Sequence, residues 1–344
     1  MSKKFINPNL QKRSLKQSTL DIEQLATQLV EGDRNALSVS ITLIESELSE
    51  HRTLSRRLLT LVEPAARKKS SLRIGISGSP GVGKSTFIEA LSKYRPEQSI
   101  AVLAVDPSSG ESHGSILGDK TRMEQLVQRE NAFIRPSPAG KTLGGVTAKT
   151  RETIRLCEAA GFDRIFVETV GVGQSETAVS QMVDFFLLLI LPGSGDEVQG
   201  IKRGIVELAD MVCITKTDGD REKLARSSRQ SYKNALHLFR TKYPGWEIPV
   251  INTSSETGKN MDKVWKSIDD FGAFAQKKSS ENEASWINLH RRKQNLQWYE
   301  AALKEVAWQN FVADTKTQNL VQSHRTLLQT EQANVWQLIE ELRK

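Results

Sequence analysis

At 344 residues, with 38% hydrophobic and 26% charged positions, the chain has a soluble protein's composition and the length of one large α/β domain with additions. The longest apolar run, Phe185 to Leu191, is strand-sized and far short of the roughly 18 residues of a membrane span. Cys157 and Cys213 are too few and too far apart for a disulfide framework or a C-x-x-C metal pair, which fits a reducing cytoplasm. The net charge of +7 reads as a solvated basic surface with a basic tail, because acidic residues are interspersed along the chain; no nucleic-acid or membrane partner is expected.

In chain order, residues 1–19 hold Lys3, Lys4, Lys12, Arg13 and Lys16 and no acid, and read as a disordered basic start. Residues 20–70 form an N-terminal helical annex. Ile22, Leu25 and Leu29 share one face; Leu37, Ile41, Ile44 and Leu48 share another; Leu54, Leu58 and Leu61 continue the pattern. Glu63-Pro64 and Arg67-Lys68-Lys69 are expected to end this unit.

From 71 to 276 apolar strand-like runs alternate with helical patterns. Strands are predicted at 72–76, 100–105, 132–135, 164–168, 185–191, 211–215 and 248–252. Helices are predicted at 84–94, 119–129, 147–160, 198–208, 221–240 and 260–275. The alternation predicts an α/β fold: a mostly parallel sheet flanked by helices, with ligands at the carboxyl ends of the strands. A polar linker follows. Residues 283–344 form a C-terminal helical arm, with Leu289, Leu296, Leu303 and Asn310 seven apart and Tyr299 and Val306 between them. Such a stripe can bury itself on a second subunit, giving a homodimer.

The organising stretch is Gly78-Ser79-Pro80-Gly81-Val82-Gly83-Lys84-Ser85-Thr86. Strand, then G-x-x-x-x-G-K-[ST], then helix is the phosphate-binding loop of P-loop nucleotide hydrolases. Glycines let backbone N–H groups close around phosphate oxygens, and the new helix adds its positive end. Lys84 is the expected point charge on the β/γ-phosphates and Ser85 the expected Mg²⁺ ligand.

Asp106, after the second strand, suits Mg²⁺ or its waters. The glycine-rich loop beyond it leads to Asp119, either a further Mg²⁺ ligand or a helix N-cap. Glu168 ends the fourth strand, where a Walker B acid belongs, and the N–H of Gly171 could reach a γ-phosphate. In Ras-like GTPases a water-orienting Gln follows that glycine; here it is Val172, which predicts slow hydrolysis without a partner. Thr215-Lys216-Thr217-Asp218 resembles the N/T-K-x-D motif that reads guanine, Asp218 accepting from N1–H and N2–H₂ and Lys216 lying along the base. Ser254-Ser255-Glu256 occupies the place of the backbone contact to the guanine oxygen. The loops 135–145 and 191–202 are long, polar and rich in Gly and Pro, of the kind that often carries function.

These residues resemble the methylmalonyl-CoA mutase-associated GTPases of the MeaB/ArgK type, related to MMAA. The resemblance rests on Gly32-Asp33-Arg34, the phosphate loop, Ala104 to Ser109, Gly114 to Met123, Phe133 to Pro138, Glu168 to Glu176 and Gly195 to Gly204. It implies a GTP-hydrolysing chaperone that docks on an adenosylcobalamin-dependent acyl-CoA mutase, gates cofactor loading and protects the mutase from inactivation. Asp106, Asp119 and Glu168 match the family's Mg²⁺ and switch residues. Asp196 and Lys202 match a further switch that transmits nucleotide state to the partner. Thr215 stands where Asn is commoner, a departure expected to loosen base affinity without changing its identity. The alternatives are a kinase acting on a transport-system protein, a metal-delivery GTPase, which five scattered His and two lone Cys argue against, and a nucleotide-dependent scaffold.

Overall fold

The computed structural model describes residues 20–105, 123–136, 143–169, 175–193, 203–239, 242–278, 284–330 and 334–342. The basic start therefore lies outside the described residues. The chain divides into two compact units, Met1–Ile287 and Asn288–Lys344.

The first unit opens with three helices, α1 (Ile22–Val30), α2 (Arg34–Glu45) and α3 (Ser49–Lys68). Asp21 and Asp33 cap the first two by accepting the amides of Gln24 and Ala36. The apolar stripe departs from the predicted one. Leu48 is 59% exposed because α2 stops at Glu45, and Leu61 is 41% exposed, while Leu58, Val62 and Ala66, four apart, are buried. Pro64 does not end α3. It sits with Thr60 on the exposed side, where a missing N–H is tolerated, and the helix runs on to Lys68, within the basic triplet expected to end the unit.

Seven strands follow: β1 (Leu72–Gly78), β2 (Ile100–Val105), β3 (Ala132–Arg135), β4 (Arg164–Thr169), β5 (Phe185–Ile190), β6 (Met211–Ile214) and β7 (Val250–Asn252). They form one all-parallel sheet in the order β3-β2-β4-β1-β5-β6-β7. β7 is shorter than its predicted span. Pro249 has no N–H to give a ladder, and only its carbonyl is used, by Val212 N.

Helices α4 (Lys84–Ser92), α5 (Glu124–Val127), α6 (Leu143–Ala159), α7 (Ser175–Ser180), α8 (Arg203–Val206) and α9 (Glu222–Leu236) lie between the strands, and α10 (Met261–Ala275) follows the last of them. α6 starts four residues before its predicted start, so Gly144-Gly145 belong to its first turn instead of a loop. α8 ends two residues before its predicted end, residues 198–202 of the predicted helix lying outside the described residues: after Val206 the chain tightens into i→i−3 turns, Leu208 N to Ile205 O and Ala209 N to Val206 O.

Alternation along the strands sends side chains to two cores. Ala101, Leu103, Val105, Ile165 and Val167 pack with α1–α3 and α6 on one face, so the N-terminal helices share a core with the sheet. Ile74, Ile76, Val102, Phe166, Phe185 and Leu187 pack with Phe87, Leu91, Trp265 and Phe271 on the other. Arg73, which alternates with Ile74 on β1 and so points to the first face, is buried there and donates to both carboxylate oxygens of Glu158 on α6 at 2.8 and 2.9 Å. Both sheet edges are blunted. Arg34 donates to the carbonyls of Glu130 and Ala132 at the β3 edge. Arg229 Nε and Asn260 Nδ2 take the outward carbonyls of Val250 and Asn252 at 2.8 and 2.7 Å.

The second unit is helical: α11 (Trp286–Ala313, beginning in the first unit), α12 (Thr315–Gln329) and α13 (Val335–Leu342). On α11, Leu296, Tyr299, Leu303 and Val306 are all exposed, by 43–66%. Among the described residues no helix is long and apolar enough to cross a membrane.

Candidate functional site

β1 lies between β4 and β5, and the chain leaves it toward β2 on one side before filling β5 to β7 on the other. That reversal opens a crevice at the carboxyl end of β1, the place where α/β sheets bind ligands. The 78–86 loop fills it. Gly78 is required by space: a Cβ there would stand 2.5 Å from the carbonyl oxygen of Leu189 on β5. Val82 turns inward and is buried in the core, while Pro80, Gly81 and Thr86 are exposed.

Lys84 is 7% exposed and folds back over its own loop, its Nζ donating to the carbonyls of Gly78 at 2.9 Å and Ser79 at 3.3 Å. Ser85, the next residue on α4, donates its hydroxyl to Glu168 Oε1 at 2.8 Å. Beside this pair Thr169 Oγ1 donates to Ser77 Oγ at 3.1 Å, tying the ends of β4 and β1. A hydroxyl and a carboxylate oxygen are the hard ligands that Mg²⁺ takes. The structure thus brings together two of the four predicted metal-binding residues. Asp106, Asp119, Gly171, Asp196 and Lys202 lie outside the described residues.

The base end is built on β6 and β7. Thr215 is buried, with its hydroxyl 3.3 Å from the carbonyls of both Val82 and Ile190, so the residue found where Asn is commoner still reaches the phosphate loop. Lys216 takes a left-handed backbone, φ 54°, and its Nζ donates to Gly81 O at 2.8 Å. Thr217 is tied to the second base loop through its amide and its hydroxyl, both 3.1 Å from Thr253 O. Asp218 precedes a 3₁₀ turn, Gly219–Arg221, without spending its side chain as a cap. Ser254 is fully buried, accepting Thr257 N on its hydroxyl and donating its amide to Lys259 O at 3.2 Å. Ser255 is half-buried and Glu256 exposed.

Three ties in this frame went unread in the sequence: Ser77 to Thr169, Thr217 to Thr253, and Tyr94 Oη to Gly258 O at 2.9 Å. Ser77, Thr169 and Tyr94 stand beside motifs rather than in them, and Thr217 fills the variable position of its own motif. The two cysteines are buried, and burial pushes both thiols up, away from metal-binding thiolate. Among the described residues no group of three or more His, Cys, Asp or Glu is placed to hold a metal.

The model of the family described as Methylmalonyl Co-A mutase-associated GTPase MeaB matches residues 37–316. The chain belongs to that family. It is 46% identical over 285 residues to the mouse methylmalonic aciduria type A homolog, mitochondrial, covering 78% of this chain and 69% of that one. It is 43% identical over 280 residues to GTPase ArgK of Escherichia coli K12, covering 81% and 82%. A crystal structure described as LAO/AO transport system kinase superposes with a TM-score of 0.72 at 32% identity, covering 95% of this chain and 98% of that one. This MeaB-family chain is therefore a P-loop GTPase, and GTP and GDP are its nucleotides.

Proposed function

We propose that this MeaB-family GTPase is a chaperone of an adenosylcobalamin-dependent acyl-CoA mutase, with methylmalonyl-CoA mutase the first candidate. The family match, whose description names that mutase, is the observation that supports the partner. The GTP gate rests on the frame at the end of β1. Backbone amides of Gly78 to Thr86 bind the phosphates and Lys84 balances their charge. Ser85 and Glu168, with Asp106 and Asp119, would hold Mg²⁺, which when bound neutralises charge on the β- and γ-phosphates. Thr215, Lys216 and Asp218 with Ser254, Ser255 and Glu256 read guanine.

Hydrolysis by the isolated chain is slow, because Val172 cannot orient a water as Gln does; Gly171 supplies an amide to the γ-phosphate. Asp196 and Lys202 pass the nucleotide state to the mutase. The exposed α11 stripe, Leu296, Tyr299, Leu303 and Val306, spaced 3, 4 and 3 apart, supports a homodimer through the arm. The protein works in the cytoplasm, with no nucleic-acid or membrane partner.

The test is GTP turnover by the purified protein, alone and with an adenosylcobalamin-dependent mutase from the same source. Turnover accelerated by the mutase supports the chaperone. Turnover indifferent to every such mutase refutes it, and label transferred from γ-³²P-GTP to protein would favour the kinase.

A further inference from the structure

We infer that Tyr94 is a positioning residue for guanine selection, linking the helix that starts under the phosphates to the loop that meets the base. The inference rests on the assignment of Ser254-Ser255-Glu256 to the guanine oxygen. α4 begins at Lys84 and ends at Ser92; beyond it Tyr94 N turns back onto Leu91 O at 3.1 Å, which fixes the tyrosine at the helix end. The same Leu91 carbonyl accepts Trp265 Nε1 of α10 at 2.5 Å, inside the apolar core. The end of α4 is thus anchored, and Tyr94 extends from it to donate its hydroxyl to Gly258 O at 2.9 Å.

The loop that receives this bond is only partly self-supporting. Ser254 N reaches Lys259 O and Thr257 N reaches Ser254 Oγ, both at 3.2 Å, which closes residues 254–259 on themselves. Lys259 Nζ pairs with Glu222 at 3.0 Å, on the element that follows Asp218, but this pair is exposed and contributes little. Tyr94 is the tie from the phosphate side. Gly258 fits the contact on two counts. Its φ of +73° is one that L side chains avoid, and a Cβ there would stand 2.4 Å from Tyr94 Oη. The loop is shaped around the tyrosine hydroxyl.

Removing that hydroxyl takes away the tie from α4, while Met261 N stays on Gly258 O at 3.3 Å and Thr217 on Thr253 O, so the loop that presents backbone amides to the guanine oxygen is loosened at one end and Asp218 is left in place. The effect expected is therefore on one edge of the base. Dissociation constants are measured for GTP, for xanthosine triphosphate, which keeps the 6-oxo group, and for 2-aminopurine riboside triphosphate, which lacks it. In Tyr94→Phe the preference for GTP over the 2-aminopurine nucleotide should fall roughly three- to tenfold, the worth of one neutral hydrogen bond. The preference for GTP over xanthosine triphosphate should stay, and Tm should hold. Equal weakening of all three nucleotides, or no change, overturns the inference.

Asp218→Asn is run beside it. If that variant keeps its preference for GTP over xanthosine triphosphate, the base-reading assignment fails and this inference with it; if it loses the preference while Tyr94→Phe is silent, only the tyrosine's role fails. Gly258→Ala supplies a second route. It should weaken GTP binding in the wild-type background and less so in the Tyr94→Phe background, where the clashing hydroxyl is gone. Strictly additive losses would show that the two residues do not act on each other.

Discussion

The hydroxyl of Ser85, one residue into α4, donates to Glu168 Oε1 at the end of β4 at 2.8 Å. These residues are 83 positions apart in the chain. They meet because β4 is the neighbour of β1, with Ile76 aligned to Glu168. Two oxygen ligands are thereby held side by side at the mouth of the crevice, one neutral and one anionic.

Ser85→Ala and Glu168→Gln should therefore act on the metal-dependent part of nucleotide chemistry. We expect turnover in the presence of Mg²⁺ to fall roughly a hundredfold in either variant, the scale seen when a group stabilising developing charge is removed. GDP binding measured in EDTA should change little. Calorimetry with and without Mg²⁺ separates the two. Equal losses in both conditions would mean that the pair only holds β4 to α4.

Thr215 offers a sharper comparison. Its hydroxyl lies 3.3 Å from the carbonyl of Val82, so a threonine covers the distance from β6 to the phosphate loop. Thr215→Val keeps the shape and β-branching and removes the hydroxyl; GTP affinity should drop by about 1 kcal/mol. Thr215→Asn restores a donor and should keep affinity near wild type. A valine variant that binds GTP as tightly as the parent would show the hydroxyl to be idle.

How far the fold was legible depends on how local its causes are. The strands were, because a parallel sheet covered on both faces writes each strand as an unbroken apolar run, Phe185 to Ile190 most clearly. The phosphate loop was, because its spacing is fixed by the phosphates it surrounds. Pro64 and Leu48 misled for reasons the local periodicity does not contain: Pro64 lies on the face of α3 turned away from the core, and Leu48 falls in the turn after α2 has stopped at Glu45. The same holds for Tyr94: a tyrosine at a helix end has no local signature, and its partner Gly258 is 164 residues away.

The arm can be tested by its exposed stripe. Leu303 is 53% exposed with Tyr299 and Val306 on the same side of α11. Leu303→Asp with Val306→Asp puts charge where an apolar partner would sit, and light scattering should then report a monomer in place of a dimer. GTP affinity should stay, since Leu303 belongs to the second unit and the nucleotide site to the first. A wild-type monomer at micromolar concentration would remove the dimer from the proposal.

The last prediction concerns pH. Glu152 lies on α6, among the helices that pack against α3, and burial pushes its carboxyl up to about 7 from an ordinary value of 4.5, against the opposing pull of Lys149 and Arg56. Its folded value is raised, so the folded state holds a proton that the unfolded state has lost. Between pH 4.5 and 7 stability therefore falls as pH rises, and above 7 the full cost is present. The cost is of the order of 3 kcal/mol. Glu152→Gln removes the charge and keeps the shape. It should raise Tm at pH 8 and leave it nearly unchanged at pH 5, where the native carboxyl is already neutral. A variant equally stabilised at both pH values would place the effect in packing and not in ionisation, and one destabilised at pH 8 would mean that Lys149 and Arg56 outweigh burial.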